Sequence, residues 1–309
     1  GYTTRNINTT SSNTTSKPSA LACKNLTYYE QYGKGYQVTN VSLYVLPKNP
    51  ALGRLGNHMF MYASLLGIAR AQGRRTFCDP SSDLAKAFKL SNVGVIKGSE
   101  KWPVIKEQSF YDERMMNLPM QNLTIESYLL SYWYFAGVER EVKQEFTFHD
   151  TIANAAAMIL RDVYVKNNAS MIVGVHVRRT DFLLKIHKKM GYGVPEKSYF
   201  MKAISLMKSK FLGRNITFLV VSDDLPWCHK HLSGKDVSFM PPATAAVHMA
   251  VLSKCDHVII SSGTFGYWSA WLAYGHVIYY PGYMRKDSIL GKWFRDDLYY
   301  PKTWTPMGN

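Results

Sequence analysis

Four short apolar runs, rich in β-branched residues, limit what this chain can fold into. They are Met171–Val177 (MIVGVHV), Ile216–Ser222 (ITFLVVS), His257–Ser261 (HVIIS) and His276–Tyr280 (HVIYY). Helical patterns lie between them. Phe200, Ala203, Ile204, Met207 and Phe211 would share one helix face, and Phe265, Trp268, Ser269 and Leu272 another. Strands apolar on both faces, alternating with amphipathic helices, predict an α/β fold with a parallel sheet covered on both sides. Such sheets bind ligands at the carboxyl ends of their strands. Function is therefore expected in the loops after Val177, Ser222 and Ser261.

The first half is patterned less clearly. A strand is expected over Val41–Leu46, followed by GRLGN (Gly53–Asn57) and a helix carrying Met59, Tyr62, Ala63, Leu66 and Arg70. Gly73 stands where a helix-ending glycine belongs. Residues 1–22 are mostly Thr, Ser and Asn and cannot bury enough surface to offset their ordering entropy, so they read as a stem. The 309 residues, 46% of them apolar, suffice for two medium domains or one large one. No apolar run reaches the length of a membrane span.

The formal charge is +15. The cations are scattered and form no basic helix or arm, which argues against nucleic acid and for an anionic small molecule or a plain basic surface. Asn8, Asn13, Asn25, Asn40, Asn122, Asn168 and Asn215 all begin N-x-S/T sequons. Each is weak alone, but together they favour the secretory pathway. Four cysteines agree with an oxidising compartment. Cys228 with Cys255, and Cys23 with Cys78, is the pairing expected, with four free thiols as the alternative.

Three segments carry chemistry. HVRRTD (His176–Asp181) lies where the first run ends, with His176 and Arg178 pointing to one face. Arg178 and Arg179 offer planar forks suited to phosphate, and Asp181 could orient one of them. IISSGTFGYW (Ile259–Trp268) reads as strand, turn and helix, and would aim backbone N–H groups at an anion. The plain alternative is a turn capped by Thr264. GRLGN could present Arg54 and Asn57 to the same ligand. Asp223 and Asp224 end the second run. No D-x-D, H-E-x-x-H or C-x-x-C occurs, so no metal site is read, and arginines and a helix terminus would have to neutralise a diphosphate.

The ordered set GRLGNHMFMYASLLGIA (53–69), QEFTFHD (144–150), HVRRTD (176–181), FLVVSDDLPWC (218–228) and CDHVIISSGTFGYWSAWLAYG (255–275) resembles the galactoside α-1,2-fucosyltransferases. That resemblance implies a GT-B-like fold with two Rossmann-like domains and a cleft between them. It divides the chain into an acceptor-side domain (23–165), a GDP-fucose-binding domain (166–285) and a tail packing back (286–309). It implies metal-independent, inverting transfer to galactose by a type II Golgi lumenal enzyme whose anchor precedes Gly1. In that picture Arg178 grips the β-phosphate, His176 contacts the nucleotide, and Asp181 holds Arg178 or the fucose. Ser262, Gly263, Thr264 and Phe265 cradle the diphosphate, Arg54 and Asn57 reach phosphate and fucose, and Asp223 lies on the donor side. The family usually has Gln at the position of His58, Gly at Thr180 and Tyr at Phe182. At His248 it usually has an Asp that binds guanine. Two other readings stay open: a fucosyltransferase with a core GlcNAc or protein acceptor, and an inactive relative that only binds glycan or nucleotide.

Overall fold

The computed structural model describes residues 42–309. The stem, Cys23, Val41 and the sequons at Asn8, Asn13, Asn25 and Asn40 lie outside that range. The first half holds β1 (Val45–Pro47), α1 (Leu55–Ala71), α2 (Asp83–Ala87), β2 (Val104–Lys106), β3 (Leu123–Glu126), α3 (Glu139–Glu145) and α4 (Asp150–Lys166). Its three strands form a parallel sheet in the order β1-β3-β2. The strand expected over Val41–Leu46 begins instead at Val45, because its partner β3 begins at Leu123, opposite Val45. Before it only an isolated bridge joins Tyr44 to Arg75.

Helix α1 is the core of this half. Nearly every side chain from Met59 to Ala69 is buried, so it is apolar all round rather than amphipathic. It ends as Gly73 predicts. Gly73 takes φ +64°, and the Arg74 N–H returns to the Ala69 carbonyl at 2.8 Å. That i to i−5 bond closes a helix terminus that only a left-handed residue allows.

The second half holds β4 (Met171–Val177), α5 (Lys185–Met190), α6 (Lys197–Lys210), β5 (Ile216–Ser222), α7 (Leu225–Leu232), β6 (Val237–Phe239), α8 (Ala245–Lys254), β7 (His257–Ile260), α9 (Thr264–Leu272) and β8 (Val277–Tyr279). After these come α10 (Ile289–Trp293), α11 (Asp296–Tyr299) and β9 (Thr305–Pro306). Six parallel strands run in the order β6-β5-β4-β7-β8-β9. This is the doubly wound order, whose switch point falls between β4 and β7. Alternate side chains of β4 and β5 separate two cores. Val173, Val175, Phe218 and Val220 pack with α6 and α7, whereas Ile172, Leu219 and Val221 pack with α4, α8 and α9.

That separation corrects one expectation. Cys228 lies in the first of these cores and Cys255 in the second, on opposite faces of the sheet, and both are free thiols. No bond can cross a sheet.

The two halves share one core. Phe60 of α1 lies 4.6 Å from Tyr267, 5.0 Å from Trp268 and 5.4 Å from Tyr299, measured between ring centroids. The chain end returns to the sheet, where β9 pairs with β8.

Candidate active site

At the switch point the ends of β4 and β7 are tied together. Ser261 donates its N–H to the His176 carbonyl at 3.1 Å, and its hydroxyl oxygen accepts the Arg178 N–H at 2.8 Å. A cleft of about 790 Å³ opens there, between the carboxyl ends of the strands and the start of α1. Arg54, Asn57, His176, Arg178, Asp181, Asp223, His248, Gly263, Thr264 and Phe265 all line it.

His176 is buried, and α9 lies directly on its ring. A Cβ on Gly266 would come within 2.4 Å of His176 Nδ1, so only glycine permits this approach. Burial, aided by the Arg178 charge, pushes the imidazole down to about 3, so it is neutral at physiological pH. Arg178 is held by Asp181, with Nε donating to Oδ1 at 3.1 Å and Nη2 to Oδ2, and its guanidinium lies 4.9 Å over the Phe182 ring. Two of its five N–H donors are used in this pair. Burial disfavours the Asp181 charge, but the hydrogen bonds and charge of Arg178, with the charge of Arg54, outweigh it and hold the carboxyl below the usual range.

Arg179 turns away. Its guanidinium lies 3.9 Å over the Trp227 ring and its Nε meets Asp224 at 3.3 Å. Only Arg178 of the pair reaches the cleft. Asp223 is a brace for this loop: it accepts from Arg179 N–H at 2.9 Å, Thr180 N–H at 3.2 Å and the Thr180 hydroxyl at 2.6 Å.

Helix α9 is capped by Gly263, not by Thr264. Ser262 is fully buried and donates its hydroxyl to the Gly193 carbonyl at 2.6 Å. Its side chain is a structural pin and does not line the cleft. The Thr264 hydroxyl instead reaches across to Asn57 Oδ1 at 2.6 Å. Beside it Gly56 is pressed so close that a Cβ would lie 2.7 Å from Phe265 N and 2.7 Å from the Thr264 carbonyl carbon. The amino ends of α1 and α9 thus meet at the cleft, and both dipoles favour an anion there.

His248 sits on α8 with Nε2 3.2 Å from the Pro241 carbonyl. Donation from Nε2 leaves Nδ1 as a single acceptor, where a carboxylate would offer two oxygens.

Four further cleft residues with polar side chains escaped the sequence reading: Asp83, His187, Tyr192 and Tyr283. Tyr283 follows β8, so the strand-end rule applied to the fourth apolar run would have found it. His187 and Tyr192 follow a loop whose path depends on packing. His187 Nδ1 lies 2.6 Å from the Asp181 carbonyl, and Tyr192 stacks on Phe182 at 4.6 Å. Nothing local marks Asp83. Among the described residues no three His, Cys, Asp or Glu side chains are grouped to hold a metal ion.

The sequence profile of glycosyl transferase family 11 matches residues 24–307. Galactoside 2-alpha-L-fucosyltransferase Sec1 of Mus musculus is 31% identical over 263 residues, covering 82% of this chain and 71% of that protein. Galactoside alpha-(1,2)-fucosyltransferase 2 of Pongo pygmaeus is 30% identical over 267 residues, covering 82% and 77%. Among solved structures, the α-1,6-fucosyltransferase NodZ soaked with GDP-fucose superposes with a TM-score of 0.51 at 17% identity, over 75% of this chain and 93% of that one. The fold is therefore the expected GT-B-like one, with a full Rossmann sheet in the second half and a three-stranded parallel sheet in the first. A profile spanning nearly all of the sequence, on a fold of this kind, leaves one assignment: the chain belongs to glycosyl transferase family 11.

Proposed function

We propose that this protein transfers L-fucose from GDP-fucose to the 2-hydroxyl of a terminal galactose, with inversion and without a metal ion. The observation that carries the reading is the meeting of Arg178 and two helix amino ends on one cleft. The names of the relatives support the donor and the galactose acceptor.

As the bond between fucose C1 and the β-phosphate breaks, negative charge grows on the departing GDP. Arg178 supplies a fixed cation there, with Asp181 and Phe182 setting its orientation. The N–H groups of Thr264 and Phe265 add the positive end of α9. Preorganised donors of this kind lower the barrier without reorganising during the reaction. Asn57 and Arg54 bring the first half to the same point. The galactose hydroxyl attacks C1 from the opposite face as the bond to GDP breaks and gives up its proton to solvent, converting β-linked to α-linked fucose. In this reading residues 23–165 receive the acceptor, 166–285 hold the donor and 286–309 brace the sheet. The sequons support a place in the Golgi lumen. The linkage of the product tests the reaction: NMR should report α-fucose on galactose O2, and a β anomer or another oxygen would refute it.

His248 favours one second reading, an inactive relative that binds glycan or nucleotide without turnover. Titration with GDP separates the two, since tight binding with no product would favour the second.

A further inference from the structure

A diphosphate seated at the switch point would have an arm of the cleft on each side. Arg178 and Thr264 follow the central strands β4 and β7. On the β5 side the cleft is lined by Val221, Ala243, Ala245 and His248, and on the β8 side by Phe182, Tyr192 and Tyr283. Tyr283 is only 4% exposed. Its ring is wedged among others, with centroids 5.5 Å from Phe294, 5.9 Å from Tyr299, 5.9 Å from Tyr192 and 6.1 Å from Phe182. Its backbone is pinned as well. Gly193 N–H donates to the Tyr283 carbonyl and Arg285 N–H to the Gly191 carbonyl, both at 2.8 Å. A Cβ on Gly193 would fall 1.8 Å from the Gly282 carbonyl oxygen, so only glycine allows the two segments to lie this close. Yet no described residue hydrogen-bonds the Tyr283 hydroxyl. A buried phenol normally has a partner. Burial pushes this one well above its ordinary range, against the pull of the Arg178 charge, so it stays protonated and able to donate.

We propose that the Tyr283 hydroxyl donates a hydrogen bond to a ring hydroxyl of the fucose in GDP-fucose, and so helps to select the sugar. The inference rests on the transfer reading above. Strand order carries it, because nucleoside and sugar leave a diphosphate in opposite directions and the two arms suit different groups. On the β5 side the small Ala243 and Ala245 leave room beside Val221 for a flat base. On the β8 side the aromatic faces suit the C–H groups of a pyranose, and the phenol suits its oxygens. The sugar hangs directly on the phosphate that Arg178 would hold. The Arg178 guanidinium lies 4.9 Å over Phe182, the ring beside Tyr283. In the proposed reaction the acceptor comes from the first half, whereas Tyr283 belongs to the wall of the second. A fixed, buried donor of this kind penalises a ligand that leaves it unpaired, which is how a polar site rejects an analogue lacking one hydroxyl.

Calorimetric titration of GDP and of GDP-fucose, without acceptor, into the wild type and Tyr283→Phe tests the inference. The substitution removes one oxygen and keeps the packed ring. GDP should bind both proteins alike, and GDP-fucose should bind the variant roughly threefold to tenfold more weakly. The ratio of the two affinities is read on folded protein, so a loss of stability cannot imitate the result. Donors lacking the fucose hydroxyl at C2, C3 or C4 in turn then locate the bond, since wild type and variant should bind one of them equally. An unchanged GDP-fucose affinity would overturn the inference. So would an equal loss for GDP, which would give Tyr283 to the nucleoside, or a raised acceptor KM alone, which would give it to galactose. Failure of the wild type to bind GDP-fucose at all would strike down the transfer reading, and this inference with it.

Discussion

The two halves of this molecule are held together by different forces. In the second half β4 and β5 pair over seven residues, Met171–Val177 against Ile216–Ser222, and backbone ladders fix the register. In the first half the strands are three or four residues long, and buried polar side chains do much of the joining. Tyr62 donates to the buried Glu145 at 2.5 Å. Tyr134 donates to Glu107 at 2.6 Å, and Ser127 donates to the other oxygen of that carboxylate. Arg74 donates to the carbonyls of Leu118, Pro119 and Gln121. A ladder tolerates side-chain change, whereas a buried network fails when one member is lost. The Arg178 side of the cleft is thus built on the robust half, and the Arg54 side on the half that depends on individual side chains.

The largest effect should come from the grip. Arg178→Ala is expected to lower turnover by a hundredfold or more, about 3–4 kcal/mol of barrier, with the far-UV spectrum unchanged. A variant that turned over normally would remove Arg178 from the mechanism. Ser262→Ala should cost far less activity, because its hydroxyl is spent on the Gly193 carbonyl while the N–H groups of α9 remain.

Next comes the seam between the halves. Gly56→Ala would place a Cβ 2.7 Å from backbone atoms of Thr264 and Phe265, neither of which can swing aside. A loss of about 1–3 kcal/mol is expected in urea unfolding, with GDP binding weakened too. Unchanged stability would mean that the seam is loose.

The network of the first half predicts a pH signature. Burial outweighs the hydrogen bonds from Ser127 and Tyr134 and pushes the Glu107 carboxyl up to about 7, from 4.5. Between those values the folded state binds the extra proton, so stability falls as pH rises through that window. Glu107→Gln should abolish the slope. It should match the wild type near pH 4 and exceed it above pH 7 by roughly 3 kcal/mol. Parallel curves would show that Glu107 titrates normally. Asp181 has the opposite sign: its carboxyl is held low, so the Arg178 pair persists across the neutral range and is lost only as pH falls below the usual carboxylate range.

The smallest effect is Thr264→Val, which removes the hydrogen bond to Asn57 and should cost about 1 kcal/mol. A larger loss of activity than of stability would show that Asn57 must be held in place for transfer.

This contrast also decides what the sequence discloses. A strand buried on both faces writes itself as a β-branched run, so β4, β5, β7 and β8 were all legible, and the strand-end rule led to Arg178, Asp223 and Gly263. A three-residue strand such as β2 leaves too few positions for a period to form, and Val104 and Lys106 are exposed on it. The Ser262 hydroxyl could not be read either, since its partner Gly193 is brought near only by tertiary packing. The Cys228–Cys255 expectation failed because spacing along the chain does not say which face of a sheet each helix covers. Strand alternation and the family resemblance singled out Arg178, but where Arg179 goes was legible only in the structure, where Trp227 and Asp224 claim it.

The most direct test of the account is transfer from GDP-fucose to a panel of galactose-terminated and GlcNAc-terminated glycans, with EDTA present. Product on galactose alone, at a rate unchanged by EDTA, is the result predicted. Product only on GlcNAc, dependence on a metal, or tight GDP binding without any product would contradict it.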